Sequence, residues 1–199
     1  MTKGLETREL VLREALAQSS HLGLKGLSIG ALATSLEMSK SGLFAHFRSK
    51  EQLQTDVLAF AGDGIRRLVL EPAIAEPRGE PRIRKLFERW IGWEGYADYA
   101  LPGGCVFVEA SREFDDEPEG PVRDTLVRLQ RDWLDSVETI FRTGISEEHL
   151  RADADPRQLA YDLNAIMLGF HFSTRLLRDP DAAMRAERAF ERLLDDHRP

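Results

Sequence analysis

The chain has 199 residues, of which 42% are hydrophobic and 31% charged, with 9 prolines and a formal net charge of −7. That length buries a sizeable core without disulfides or metals, and the composition lies far from the polar, charge-dominated profile of disordered chains. No run approaches the roughly 20 apolar residues that span a bilayer, the start MTKGLETREL has no apolar signal-like core, and the single cysteine, Cys105, excludes an internal disulfide; a cytoplasmic protein is expected. The charge is uneven: residues 1–50 hold seven Lys or Arg against four Asp or Glu, a net +3, and the remainder holds 20 against 30, a net −10. Attraction to phosphate is thereby confined to the first third of the chain.

Apolar residues recur at three and four spacings and alternating runs are missing, so the fold class is all-α, with about nine helices. Val11, Leu12, Ala15, Leu16 and Ser19 form one stripe of a first helix over about 5–22, stopped by Gly23. Ser28 is placed to cap a short second helix carrying Ile29, Leu32, Ala33 and Leu36. Ser39 repeats the signal eleven residues later, ahead of Leu43, Phe44 and Phe47. Two helices this short and this close cannot each bury a face alone and must pack crosswise on the first. Ser49, with Gln52 three residues on, reads as a capping box opening a fourth helix to about Leu70.

Pro72, Pro77, Gly79 and Pro81 interrupt the next stretch, and Glu80 begins a fifth helix with Ile83, Leu86, Phe87, Trp90 and Ile91. A loop from Leu101 to Gly104, a short helix over 105–114 and the acidic loop DDEPEG follow. Pro121 opens a long amphipathic helix through Leu126, Leu129, Trp133, Val137, Ile140 and Phe141. Over 155–178, Leu159, Leu163, Ile166, Met167, Phe170 and Leu177 make a broad stripe that Ala160, Leu168, Phe172 and Leu176 extend around the helix. A helix apolar on more than one side faces its own core and a second surface, most simply a second copy of the chain. The last helix, about 180–197, adds Met184, Phe190, Leu193 and Leu194 to that surface, so a homodimer through 155–197 is expected.

The unit from Ser28 to Phe47, continued by RSKEQL, resembles the TetR/AcrR family of bacterial transcriptional regulators. That family pairs an apolar first helix with a capped second helix, a tight turn, a reading helix ending in an aromatic, two residues and Phe, and then a Ser-Lys-Glu start to helix four. Here these features are Ser28, Ile29, Leu32 and Ala33; Ser39, Lys40, Phe44, His46 and Phe47; and Ser49, Lys50, Glu51 and Leu53. The match covers about residues 5–60. Farther on, GGCVF from Gly103 and EFDDEPEGPVRD from Glu113 are similar to one branch of such regulators. The resemblance implies a helix-turn-helix domain over 1–50, with helix four running from it to about 65, and an effector-binding and dimerisation domain over 66–199. It also implies a repressor that a small-molecule effector releases from a near-palindromic operator.

Groove dimensions give the resemblance a mechanism. A short helix enters the major groove, and small side chains at its start let the backbone approach bases and phosphates. Ser39, Ser41 and Gly42 are small, Lys40 reaches a base or phosphate, and Phe44 and His46 lie on the side expected to meet the backbone. Ser28 and Lys50 sit at helix starts, which favour phosphate oxygens. These eight residues are the candidate DNA contacts. Three positions depart from the family pattern: Ser19 stands where a large aromatic is common, Glu37 where the turn commonly has glycine, and Phe44 where a tyrosine hydroxyl usually bonds a phosphate.

Other classes fit less well. GLSIG, residues 26–30, matches a nucleophile-elbow string with Ser28 as a hydrolase nucleophile, but that elbow needs a preceding strand that the pattern does not supply. No metal-binding or phosphate-loop motif is present, so neither a cofactor nor an enzyme is expected. A helical module whose helix-turn-helix binds protein alone is the remaining alternative. In the body, Phe87, Trp90, Trp93, Phe107, Trp133, Met167, Phe170 and His171 are candidate contacts for a small, largely apolar effector, although such a stripe also fits a filled core.

Overall fold

The computed structural model describes residues 3–96 and 101–199, and its regular elements are all helical. They are α1 (Lys3–Leu22), α2 (Ile29–Ser35), α3 (Lys40–His46), α4 (Lys50–Ile65), α5 (Glu71–Ala75), α6 (Glu80–Ile91), α7 (Val106–Phe114), α8 (Pro121–Ser146), α9 (Pro156–Arg175) and α10 (Ala182–Asp195), with a short 3₁₀ turn at Trp93–Gly95. A π-helical stretch, Arg66–Leu70, keeps the chain helical from α4 into α5; taken as one helix, they give the expected nine among the described residues. No helix among those residues is long and apolar enough to cross a membrane.

Pro72 was expected to break the chain, yet the helix continues to Ala75. Proline has no N–H, so the Leu68 carbonyl four residues back loses its helical donor, and wider π turns just before the ring relieve its clash with the preceding turn. Arg89 of α6 takes up that carbonyl, its Nε donating to Leu68 O at 2.7 Å. The helix ends instead where Glu76 turns extended, before Pro77.

The chain packs as two compact units. The first combines Met1–Gly64 with Glu94–Gln130. Its core takes the whole α1 stripe of Val11, Leu12, Ala15, Leu16 and Ser19, with Leu32 and Ala33 of α2, Leu43 of α3, Phe47, and Leu53, Val57, Leu58 and Ala61 of α4. Each large apolar side chain so buried contributes about 1.5–3 kcal/mol. Ser19 is buried without penalty because its hydroxyl donates to Leu16 O at 2.9 Å. Arg8 bonds Asp56 at 2.7 Å and lies 5.3 Å from the Phe47 ring centroid, tying α1 to α4 and to the end of α3. The segment before α7 runs against the end of α1. Gly103 donates its N–H to Ser20 Oγ at 2.9 Å, and a Cβ there would sit 1.8 Å from the Ser20 carbonyl oxygen.

The second unit combines Ile65–Trp93 with Arg131–Pro199. Ile83, Leu86, Phe87 and Trp90 of α6 join Trp133, Val137, Ile140 and Phe141 of α8, Leu159, Leu163 and Met167 of α9, and Phe190 and Leu194 of α10 in its core. α6 starts at Gly79, which has no capping side chain; Thr143 Oγ1 accepts the Gly79 amide at 3.1 Å and His149 Nδ1 accepts the Glu80 amide at 3.0 Å. Arg84 bonds both Glu191 oxygens and Glu80, and Arg198 bonds Glu80, so charge joins α6 to α10 and the tail. The Arg198 bond holds the Glu80 carboxyl below the usual range, and the Arg84 bond does the same for Glu191.

Phe190 and Leu194, expected on the outer apolar surface, are 2% and 0% exposed; Phe190 stacks on Phe87 with centroids 4.2 Å apart. Met184 remains outward, as do Tyr161, Leu168 and Phe172 of α9 and Leu176 and Leu177 just beyond it.

Candidate nucleic-acid interface

The start of the reading helix is built by its cap. Ser39 holds extended backbone and accepts the Gly42 amide at 3.0 Å, with the Ser41 hydroxyl 3.2 Å away. α2 is capped in the same way, Ser28 Oγ accepting from Ala31 N at 3.4 Å. Across the turn, the Lys40 side chain folds back over α2: a Cβ on Gly30 would lie 3.4 Å from Lys40 Cε, 3.6 Å from its Nζ and 3.7 Å from Ser28 Oγ. Lys40 and Ser28, twelve positions apart, thus share one patch beside the open amides of α2. The local geometry also explains the elbow-like string, since Ser28 is a helix cap here and its neighbours form no strand.

Exposure divides α3 lengthwise. Ser39, Lys40, Ser41 and Phe44 are exposed and Gly42 and His46 half-buried, whereas Leu43 and Phe47 are fully buried. Phe44 is 50% exposed with no polar atom to offer a phosphate. The turn before the helix carries Glu37 at φ 53, the left-handed region where glycine is at ease and other residues pay strain. The turn is closed by Glu37 N bonding Thr34 O at 3.2 Å and Met38 N bonding Ala33 O at 2.8 Å.

Lys50 is exposed at the start of α4, where Ser49 Oγ accepts the Gln52 amide at 3.0 Å. The Gln52 side chain turns its amide toward Asp56 at 3.0 Å, so the box expected with Ser49 is replaced by a cap plus an i,i+4 bond. Lys50 Nζ donates to the Lys25 carbonyl in the loop before α2, leaving two ammonium hydrogens for other acceptors. No sequence signal marks Lys25 or Gln54, and Glu113, which opens the EFDDEPEGPVRD string, lies 89 positions from the Leu24 amide it accepts, so the string does not announce the pairing.

The candidate effector residues are distributed unevenly. Phe107 lies on α7 in the first unit; the other seven belong to the second. Phe87 is engaged by Phe190, and Trp90 packs edge-on against Trp133 at 4.6 Å, so these rings fill space for one another. Trp93 and Met167 are also buried, while Phe170 and His171 on α9 are half-buried.

Two capped short helices joined by a tight turn and packed against each other, with α2 against α1, a polar outer face on α3 and an apolar underside, define a helix-turn-helix protein. The family model for bacterial regulatory proteins of the tetR family matches residues 11–57, and that for the tetracyclin repressor-like C-terminal domain matches residues 79–190. The chain belongs to the TetR family of transcriptional regulators. Among solved structures it is similar to a TetR transcriptional regulator from Chloroflexus aurantiacus, at 25% identity over 98% of this chain and 96% of that one, with a TM-score of 0.82. A TetR-family regulator from Streptomyces coelicolor aligns at 20% identity over 96% of each chain, TM-score 0.78. AibR, solved with isovaleryl coenzyme A and operator DNA, aligns at 19% over 96% of this chain and 98% of that one, TM-score 0.68. Comparison with curated proteins gives no match.

Proposed function

We propose that this regulator is a cytoplasmic repressor that binds a near-palindromic operator as a homodimer and is released from it by a small, largely apolar effector. The reading is carried by α3, whose exposed Ser39, Lys40 and Ser41 stand on buried Leu43 and Phe47, with Lys40 folded to the Ser28 end of α2. In this reading Ser28, Ser39, Ser41 and Lys50 position the backbone, Lys40 and Gly42 approach base edges or phosphate, and His46 and Phe44 flank the phosphate track. Phe44 makes its contact by packing, since it has no hydroxyl.

The dimer reading draws on Tyr161, Leu168, Phe172, Leu176, Leu177 and Met184, which are 45–68% exposed on or beside the two last helices. The first domain in functional terms is 1–50, with helix four leading to about 65, and residues 66–199 hold the effector and the dimer face. Phe87, Trp90, Trp93, Trp133, Met167, Phe170 and His171 of the second unit are the proposed lining. AibR, solved with isovaleryl coenzyme A and operator DNA, is a precedent in a similar fold for binding operator DNA and for holding a ligand. An effector acts only by favouring the conformation that does not fit DNA.

Fluorescence anisotropy with genomic duplex fragments at several salt concentrations tests the reading. Saturable binding that weakens steeply with salt supports it, because each neutralised phosphate contributes about 0.9 to the log–log slope. Salt-insensitive or undetectable binding at micromolar protein contradicts it and favours a protein-binding role for α2 and α3.

A further inference from the structure

The loop between α1 and α2 is held from two sides by residues of α7 and α4, outside α2 and α3. α1 ends at Gly23, φ 72, and the next two amides are taken by one carboxylate: Glu113 on the last turn of α7 accepts from Leu24 N at 2.7 Å and from Lys25 N at 3.3 Å. Gly23 makes room for it, since a Cβ there would sit 2.1 Å from Glu113 Oε1. The carbonyls of the same two residues are taken from α4. Gln54 donates to Leu24 O at 2.7 Å in a buried setting, and Lys50 donates to Lys25 O.

The Leu24–Lys25 peptides therefore form a bridge whose N–H side rests on α7 and whose C=O side fixes Lys50, one of the proposed phosphate contacts. Three residues beyond Lys25 the chain reaches Ser28, the cap of α2. An ionised carboxylate accepting two successive amides makes strong bonds and sets the direction of the peptide planes, and with them the direction of the carbonyl that Lys50 meets. Glu117 differs: its carboxylate pairs with the Lys25 ammonium, which also lies 5.2 Å from the Phe114 ring centroid, and holds no backbone group of the loop.

We propose that Glu113 is a positioning residue for operator binding: from α7 it sets the Leu24–Lys25 bridge and so places the Ser28 cap and the Lys50 ammonium for phosphate. This inference rests on the DNA-binding function proposed above. It runs against simple charge bookkeeping, because removing a carboxylate from a DNA-binding unit strengthens attraction to phosphate when the carboxylate acts only through its charge.

The probe is the duplex that the full-length wild-type chain recovers from a random pool, measured against Glu113→Ala, Glu117→Ala, Lys50→Ala and the double variant Glu113→Ala with Lys50→Ala. Glu113→Ala is expected to weaken binding about tenfold and to lower the salt slope by about 1, as Lys50→Ala does. The double variant is expected to lose clearly less than the product of the two single losses, because Glu113 and Lys50 share the Lys50 contact while the Ser28 part of the Glu113 effect remains. Glu117→Ala should bind as tightly as wild type or more tightly. Amide exchange should accelerate at Leu24 and Lys25 in Glu113→Ala while α1 keeps its protection. If that variant loses its helical signal, Glu113→Gln, which keeps an acceptor and loses the charge, should show the same pattern at smaller amplitude. Binding by Glu113→Ala, or by the glutamine variant in its place, that matches or exceeds wild type overturns the proposal, as do losses that multiply in the double variant. A wild-type chain that recovers no duplex contradicts the proposed function itself, which separates the two failures.

Discussion

α3 and α9 solve opposite surface problems. α3 buries Leu43 and shows solvent small hydroxyls, a lysine and one aromatic, whereas α9 buries Leu159, Ala160, Leu163 and Met167 and still shows Tyr161, Leu168 and Phe172, with Leu176 and Leu177 beyond its end. The first is a surface that loses little by staying hydrated until a charged, hydrated partner arrives. The second leaves apolar area in water, at about 25 cal/mol for each Å² that a partner would cover. In the proposed reading α3 serves an occasional guest and α9 a lasting cover, and the two go together, because a dimer would bring two short reading helices to one operator.

Removing the cover should have the largest effect. Phe172→Arg combined with Leu176→Arg is expected to yield a folded monomer by sedimentation at micromolar concentration and to cost at least about a hundredfold in operator affinity, within the range for central interface residues. A dimer unaffected by both charges moves the interface elsewhere. Gly103→Ala tests whether the reading head needs its support from the 101–114 segment: the clash with the Ser20 carbonyl should cost about 3 kcal/mol in chemical denaturation, at the upper end for overpacking. Lys40→Ala should leave dimer and stability unchanged while weakening operator binding about tenfold and lowering the salt slope by about 1.

Much of this division is legible from sequence, and for a physical reason. Caps at Ser28, Ser39 and Ser49, the stop at Gly23 and the stripe from Val11 to Ser19 are local signals, and local signals survive into the structure because each satisfies a nearby backbone group or buries one face. Pro72 misled because a distant arginine, Arg89, takes the carbonyl that proline leaves orphaned. Phe190 and Leu194 were placed outward because periodicity gives the width of an apolar stripe but not which neighbour it meets; the ring of Phe87 settles that for Phe190. In the DNA-binding region the exposed residues were readable from their spacing. The grip of Glu113 on Leu24 and Lys25 was not, since nothing near either end of an 89-residue separation records it.

Smaller effects refine the contrast. Glu37→Gly relieves a left-handed backbone in the turn ahead of α3 and is expected to raise stability by about 1 kcal/mol in thermal unfolding, with operator affinity unchanged or improved. An unchanged or lower midpoint would mean that the glutamate makes up its strain elsewhere. In the unit that carries α9, Glu80 and Glu191 have carboxyl groups held below the usual range by Arg198 and Arg84. Their contribution is present above the ordinary carboxylate pKa and is lost as pH falls through the lowered folded-state values, so stability should decline on acidification below about pH 4.5. Replacing Glu191 with Gln should flatten that decline; an identical acid profile in the variant would assign it to other carboxylates.

The most direct test is selection of duplexes from a random pool by the wild-type chain, followed by sequencing. The account predicts two similar half-sites in inverted orientation, with centres separated by about 34–36 Å along the helix axis, as two reading helices of a dimer in successive major grooves require. Recovery of no preferred sequence, or of a lone half-site bound by a monomer, would contradict it.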